Sequence, residues 1–338
     1  MGRLSRVTPD TRRAWIGRGP DGIHTRVGRQ RGGGAELKRS LLYQIGASNA
    51  DRTRDPLTPP PGPTEGPSFE SLLEQVRLAA ACGLAGVWCF PSTDAEGRFE
   101  QSAPELWLSA LASSTEGIRL GWGLSGMTPP ERAPIGVAEQ AASLDLASQG
   151  RLDLAFLPDG ELIDVAPRAA SGWDEGIRML VEMWDAPSFS WSSPRFDLKP
   201  IDVLPKPVQR PHPPLWLVGW HADHAARAGA HGLGFLDVSG GPDEALELHH
   251  SRYVESRAAA DVHDLVCESA FAAAFDLPAR DAAAVDRLMR RLAAWETMGL
   301  DQAVARVDTT DLEHDEIMDA IRWLADADAE GAVADRAP

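Results

Sequence analysis

Strand-like and helix-like segments alternate along this chain, and that alternation is what most limits its fold. Short apolar runs, "SLLYQIGAS" from Ser40, "AGVWCF", "IRLGWGL", "RLDLAFL", "LWLVG", "GLGFLDV" and "DQAVARV", read as buried strands. Helical segments separate them. Ser68 reads as an N-cap, and Phe69, Leu72, Leu73 and Val76 follow at helical spacing until Gly83. "PELWLSALASS", residues 134–149, an amphipathic segment carrying Trp173, Ile177, Leu180, Val181 and Trp184, and "HADHAARAGA" continue the pattern. Further helices are predicted near 243–260, 279–297 and 313–326. The segment 51–67 is Pro-rich and reads as a loop. Residues 186–214 hold eight prolines and read as irregular.

Strand-then-helix units repeated seven or eight times specify a parallel α/β architecture. Their number, in a chain of 338 residues, favours a (β/α)8 TIM barrel over an open sheet. A dinucleotide-binding sheet would need a Gly-rich turn between a strand and a helix. Of the two G-x-G-x-x-G matches, Gly17–Gly22 contains Pro20 and has no helix after it. Gly121–Gly126 follows a strand but runs into "MTPPERAPIG". Neither has the required context.

The net charge of −17 is unevenly spread, because residues 1–40 carry ten Lys/Arg against three Asp/Glu. We therefore read 1–40 as a disordered basic tail and 41–330 as a single barrel domain. An acidic body argues against nucleic acid as the partner. No apolar run is long enough to span a membrane, and no apolar signal core follows Met1, so a cytoplasmic location is expected. Three cysteines without a C-x-x-C make no disulfide or metal framework.

In such a barrel the site lies at the carboxyl ends of the strands. This places Gln44, Gly46, Cys89, Phe90, Trp122, Phe156, Gly219, Trp220, His221 and Ser239 near the mouth. The set is rich in aromatics and poor in carboxylates, which suits a flat conjugated ligand better than acid–base hydrolysis. His221, His224 and His231 suggest a metal site at first sight. Their spacing does not bring three ligands together, and no Glu-x-x-His or Cys cluster supports them, so no metal is expected. His224 and His231 read as residues of a helix surface. His221 stands where the fifth strand turns into a helix, a place that favours a bound phosphate. Asp145, Glu139 and Arg151 read as structural groups at a helix–strand junction. No nucleophile elbow and no P-loop is present.

Several segments together carry a family likeness. "GVAEQAASLDLASQGRLDLAFL" resembles the fourth helix–strand signature of the luciferase-like monooxygenases, which include bacterial luciferase and its flavin- and F420-dependent relatives. The stretch from Gly172 through "LPKPVQRPHPPLWLVG" is similar to the next segment of that family. "AAACGLAGVWCF" and "ASSTEGIRLGWGL" are similar to its second and third units. The likeness runs over about 41–240 and resumes near 295–326.

The resemblance implies a TIM barrel that binds reduced FMN, with F420 as the alternative cofactor. The ring would lie in the mouth, and the phosphate near Gly219, Trp220, His221 and Ala222, with Gly234 allowing close backbone approach. Gln44, Gly46, Cys89 and Trp122 complete the expected cofactor contacts. Ser92 stands where luciferase-type relatives carry a histidine, and becomes the expected catalytic residue, orienting a substrate or an oxygen species. The implied activity is a two-component flavin-dependent monooxygenase acting on a small organic substrate, with dioxygen, a flavin reductase and a homodimeric assembly. The alternatives are an F420-dependent oxidoreductase and a non-catalytic partner subunit that has lost cofactor binding.

Overall fold

In the computed structural model, residues 36–45, 68–91, 103–124, 134–157, 172–260, 270–278, 282–307 and 312–334 are described. Eight parallel strands close into a barrel: β1 (Lys38–Ile45), β2 (Gly86–Pro91), β3 (Arg119–Leu124), β4 (Leu152–Phe156), β7 (Leu215–Gly219), β8 (Gly234–Asp237), β9 (Phe271–Asp276) and β10 (Gln302–Arg306). They run round the ring in the order β1–β10–β9–β8–β7–β4–β3–β2. Among the described residues, eight helices accompany them: α1 (Phe69–Ala81), α2 (Pro104–Ser114), α3 (Pro134–Ala147), α4 (Gly172–Asp185), α5 (Ala222–Ala230), α6 (Asp243–Ala259), α7 (Ala282–Met298) and α8 (His314–Ala334). This is the (β/α)8 architecture read from the alternation. β1 starts at Lys38, three residues ahead of the boundary expected at Leu41. The rest of the basic segment, up to residue 35, lies outside the described residues.

Two elements differ from the sequence reading. Residues 186–214 contain an antiparallel hairpin, β5 (Phe189–Ser192) and β6 (Asp197–Ile201). It is anchored to α4 by buried Phe189 and by Trp191, whose indole N–H donates to Glu175 at 2.8 Å. The second is β9, "FAAAFD", whose alanines carry helix propensity and hide its strand character. Its small residues are explained by the space inside the barrel.

That space is filled by aromatics seated over glycines. Side chains of a strand alternate between its two faces. Leu42, Trp88, Phe90, Ala155, Trp216, Val218, Leu236, Ala272, Ala274 and Val304 form the inner core. Trp88 packs edge-on against Phe90 (ring centroids 6.0 Å apart) and against Trp216 (5.5 Å). A Cβ at Gly121 would stand 2.0 Å from the Trp88 ring, one at Gly123 2.3 Å from Phe90, and one at Gly234 2.6 Å from Trp216. Only glycine lets each ring lie flat on the neighbouring strand. The opposite strand faces, with Tyr43, Cys89, Trp122, Phe156 and Phe235, form the larger layer between barrel and helices. The amino-terminal end of the barrel is closed by polar groups. Arg119 pairs with Asp153 (Nε to Oδ2, 2.6 Å), and Gln302 donates to Ser40.

The Pro-rich lead-in to β7 is held by Asp145 on α3, which is fully buried. Its carboxylate accepts the Val208 and Gln209 backbone N–H groups (2.7 and 3.0 Å) and the Gln209 side-chain amide (2.7 Å). Arg151 donates to the carbonyls of Ala112, Ile118 and Ser148. Both are structural, as the sequence suggested. In the same lead-in, His212 is buried against Trp184, with Nδ1 bonded to the Pro213 carbonyl at 2.8 Å. Burial holds its pKa below the ordinary imidazole value, and the Pro213 bond only partly opposes that.

Two outcomes follow for stability. Gly121→Ala should destabilise the barrel by roughly 1–3 kcal/mol through overpacking, and the effect should couple non-additively with Trp88→Leu in urea unfolding. The folded chain takes up a proton at His212 less readily than the unfolded chain, where the imidazole titrates near about pH 6.5. Stability should therefore fall between pH 7 and pH 5, and His212→Gln should flatten that fall by up to about 1.4 kcal/mol per pH unit. An unaltered pH slope in the variant would remove His212 from the account.

Candidate active site

A closed parallel barrel brings the carboxyl ends of all its strands to one rim. Among the described residues, the inner side of that rim carries Gln44, Phe90, Gly123, Val218, Ala274 and Arg306. Leu157 and Val238, just beyond β4 and β8, join the same apolar layer. The rings of Trp88 and Trp216 lie beneath it and give the mouth an apolar floor. Gln44, exposed, pairs in register with Phe90 and adds an amide to the rim.

The turn from β7 into α5 forms one side of the mouth. Trp220 is half-buried, with its ring edge-on to His224 (5.2 Å between centroids) and 6.0 Å from His221. His221 is the N-cap of α5, in extended conformation, and its side chain makes no capping hydrogen bond. Its carbonyl accepts the Ala225 N–H at 3.2 Å. The N-cap position of α5 thus supplies no side-chain acceptor to the helix, and its imidazole is exposed. Asp223 lies in the same turn; its charge suits the helix dipole but opposes an anion there.

His224 is not on the helix surface, as its position in the sequence had implied. It is 3% exposed and packs beneath Gly219, where a Cβ would stand 2.6 Å from the His224 side chain. Its Nδ1 accepts the Trp220 backbone N–H at 3.4 Å, so the imidazole braces the turn. His231 is the C-cap residue of α5. Among the described residues, no three His, Cys, Asp or Glu side chains are grouped to hold a metal ion.

The expected site residues do not all reach the mouth. Gln44, Trp220, His221 and Ala222 lie at the rim, and Gly219 ends β7 there with its α-carbon facing outward to His224 and Phe235. Cys89 and Trp122 lie near carboxyl strand ends but on the helix-facing side, in the outer core with Phe156. They are fully buried among helices and do not face the mouth. Burial pushes the Cys89 thiol up to about 12. Gly234 begins β8, at the far end of the strand from the mouth, and the close approach it permits is that of Trp216. Gly46 and Ser92 lie outside the described residues.

Sequence reasoning passed over Arg306 and Asp276, the last residues of β10 and β9. The signal was present: each is a charge that closes an otherwise apolar strand, "QAVAR" and "FAAAFD".

Residues 53–337 match the family model of the luciferase-like monooxygenases. The chain belongs to that family. A luciferase-like monooxygenase of Escherichia coli K12 is 29% identical over 226 residues, 63% of this chain and 64% of its own length. The chain spans between about half and two thirds of the length of the curated relatives it matches first. Two solved structures share the fold. The monooxygenase RslO1 from Streptomyces bottropensis aligns with a TM-score of 0.66 at 19% identity, covering 88% of this chain and all of that one. An F420-dependent secondary alcohol dehydrogenase aligns with a TM-score of 0.61 at 13% identity, covering 87% and 98%.

Thiol chemistry checks the orientation of β2. With Cys267 replaced by Ser, a neutral-pH thiol reagent should label half-exposed Cys82 in the native protein and leave Cys89 unmodified until unfolding. Rapid native labelling of Cys89, read by peptide mapping, would place it at an open surface instead.

Proposed function

We propose that this luciferase-like protein is the oxygenase of a two-component monooxygenase. It would use reduced FMN, delivered by a separate flavin reductase, and dioxygen to oxygenate a small organic substrate. The observation that carries the reading is the β7–α5 turn. A helix N-terminus without a side-chain cap, beside the exposed imidazole of His221, opens next to an apolar aromatic mouth. A phosphate suits the first of these features and a flat ring suits the second.

The residues fit an FMN-sized group in specific ways. The backbone of Trp220, His221 and Ala222 would take the phosphate, with the His221 ring as an added donor. Gln44 would hydrogen-bond the edge of the ring system. Phe90, Leu157, Val218 and Val238 would exclude water from the ring face and from the reacting part of the substrate. Ser92, directly after Pro91 in the chain, is assigned to orient the substrate through its hydroxyl. Bound there, reduced flavin supplies the two electrons that activate dioxygen. Homodimeric assembly belongs to the same proposal.

Anaerobic titration with reduced FMN, oxidised FMN, riboflavin and F420 tests the assignment. Reduced FMN should bind more tightly than riboflavin. His221→Ala should weaken it by roughly 1–3 kcal/mol, the worth of a charge-assisted hydrogen bond. Binding of F420 alone would replace the reading with that of a hydride-transferring oxidoreductase. Binding of none of them would make the chain a non-catalytic member. An unchanged reduced-FMN affinity in His221→Ala would remove His221 from the phosphate site.

A further inference from the structure

The mouth holds a cation that the cofactor assignment does not use. Arg306 ends β10 on the inner face of the barrel, three strands round the ring from the His221 turn at β7. Its Nη1 donates to the Val238 carbonyl at 3.2 Å. Gly240, at φ +61°, carries no Cβ, and one built there would stand 2.7 Å from Nη2. The guanidinium therefore lies against the loop that follows β8.

Its charge is only partly answered. The Asp276 carboxylate approaches Nε at 2.8 Å, yet Nε is buried and has no directed hydrogen bond among the described residues. Asp276 itself is 81% exposed in its side chain, so its charge is shared with water. A guanidinium carries five N–H donors and matches a carboxylate or phosphate as a fork. Arg306 thus combines a fixed position, an unfilled donor edge and a weakly held counter-charge, above a floor of aromatic rings.

We propose that Arg306 recognises an anionic group, in chemical class a carboxylate, on an aromatic or similarly apolar substrate, and that Asp276 occupies the guanidinium until the substrate displaces it. The inference rests on the site proposed above being the substrate site. It adds that the substrate is an acid bound at the β10 side, opposite the cofactor's phosphate.

Benzoate and benzamide, which differ in charge and share a ring, are the probes. Each is titrated against the full-length protein with and without FMN, following tryptophan fluorescence and ligand NMR signals. Benzoate should bind at least tenfold more tightly than benzamide. Arg306→Gln should weaken benzoate more than tenfold and leave benzamide unchanged. Asp276→Asn, which removes the competing carboxylate, should tighten benzoate severalfold, a gain that a purely structural ion pair would not give. This variant also keeps the test open if Arg306→Gln loses its fold by circular dichroism. Equal binding of the two probes, no benzoate binding, or benzoate affinity untouched by both variants would overturn the proposal. So would a loss in Arg306→Gln of the preference for FMN over riboflavin with benzoate unaffected, because the anion would then be the cofactor's. Failure of FMN to bind the wild type, with benzoate behaving as described, would count against the cofactor assignment and leave the acid site standing.

Discussion

The packing of three large rings over three glycines inside the barrel sets the terms for the rest of the molecule. Trp88, Phe90 and Trp216 cannot lie inward unless residues 121, 123 and 234 lack side chains. Once they do, the facing of the strands that carry them is fixed, because a shift by one residue would turn every side chain to the other face. Trp122 and Cys89 must then point to the helices, and Gly219 must turn its α-carbon away from the mouth. The alanines of β9 belong to the same constraint: with tryptophans on β2 and β7, Ala272 and Ala274 keep the inner volume from being overfilled.

Around this centre, buried polar pairs hold the loops that shape the rim. Asp237, at the end of β8, bonds His249 on α6 at 2.5 Å and accepts the Ser239 N–H at 2.8 Å. Arg291 on α7 donates to Asp243 and to the Gly241 carbonyl, both at 2.7 Å, fixing the same β8–α6 connection from outside. On α5, Gly229 brings the helix so close to α6 that a Cβ would stand 2.4 Å from the Tyr253 carbonyl. The β7–α5 turn and the β8–α6 loop are therefore parts of one packed unit. Each such bond satisfies a group that would otherwise be costly to bury.

Much of the architecture was legible in the sequence, because strands and helices differ in period and alternate regularly. Seven barrel strands were visible as apolar runs. The eighth was hidden because its composition answers to inner volume and not to strand propensity, and the hairpin because prolines mask short strands. The candidate site was read less well, for a physical reason. Strands covered on both faces are apolar throughout, so period-two alternation vanishes and the inward face cannot be told from the outward one. Position along the chain then gave the right end of the barrel for Cys89 and Trp122 but the wrong side of the sheet. The pattern Gly-Trp-Gly at 121–123 held the missing information: residues forced to be small on alternate positions mark the crowded inner face. For His224, helical position alone suggested solvent, whereas the bare α-carbon of Gly219 makes room for the ring beneath the strand.

Among the described residues, the floor of the mouth consists of side chains standing on glycine. Its depth is therefore a property of a few rings and is separable from the strands that carry them. Trimming Phe90 would lengthen the chamber and leave the rim donors where they are, while a bulkier group at Val218 would shorten it. Within one unchanged barrel, the depth of the mouth can be reset at single positions without moving the groups on its rim.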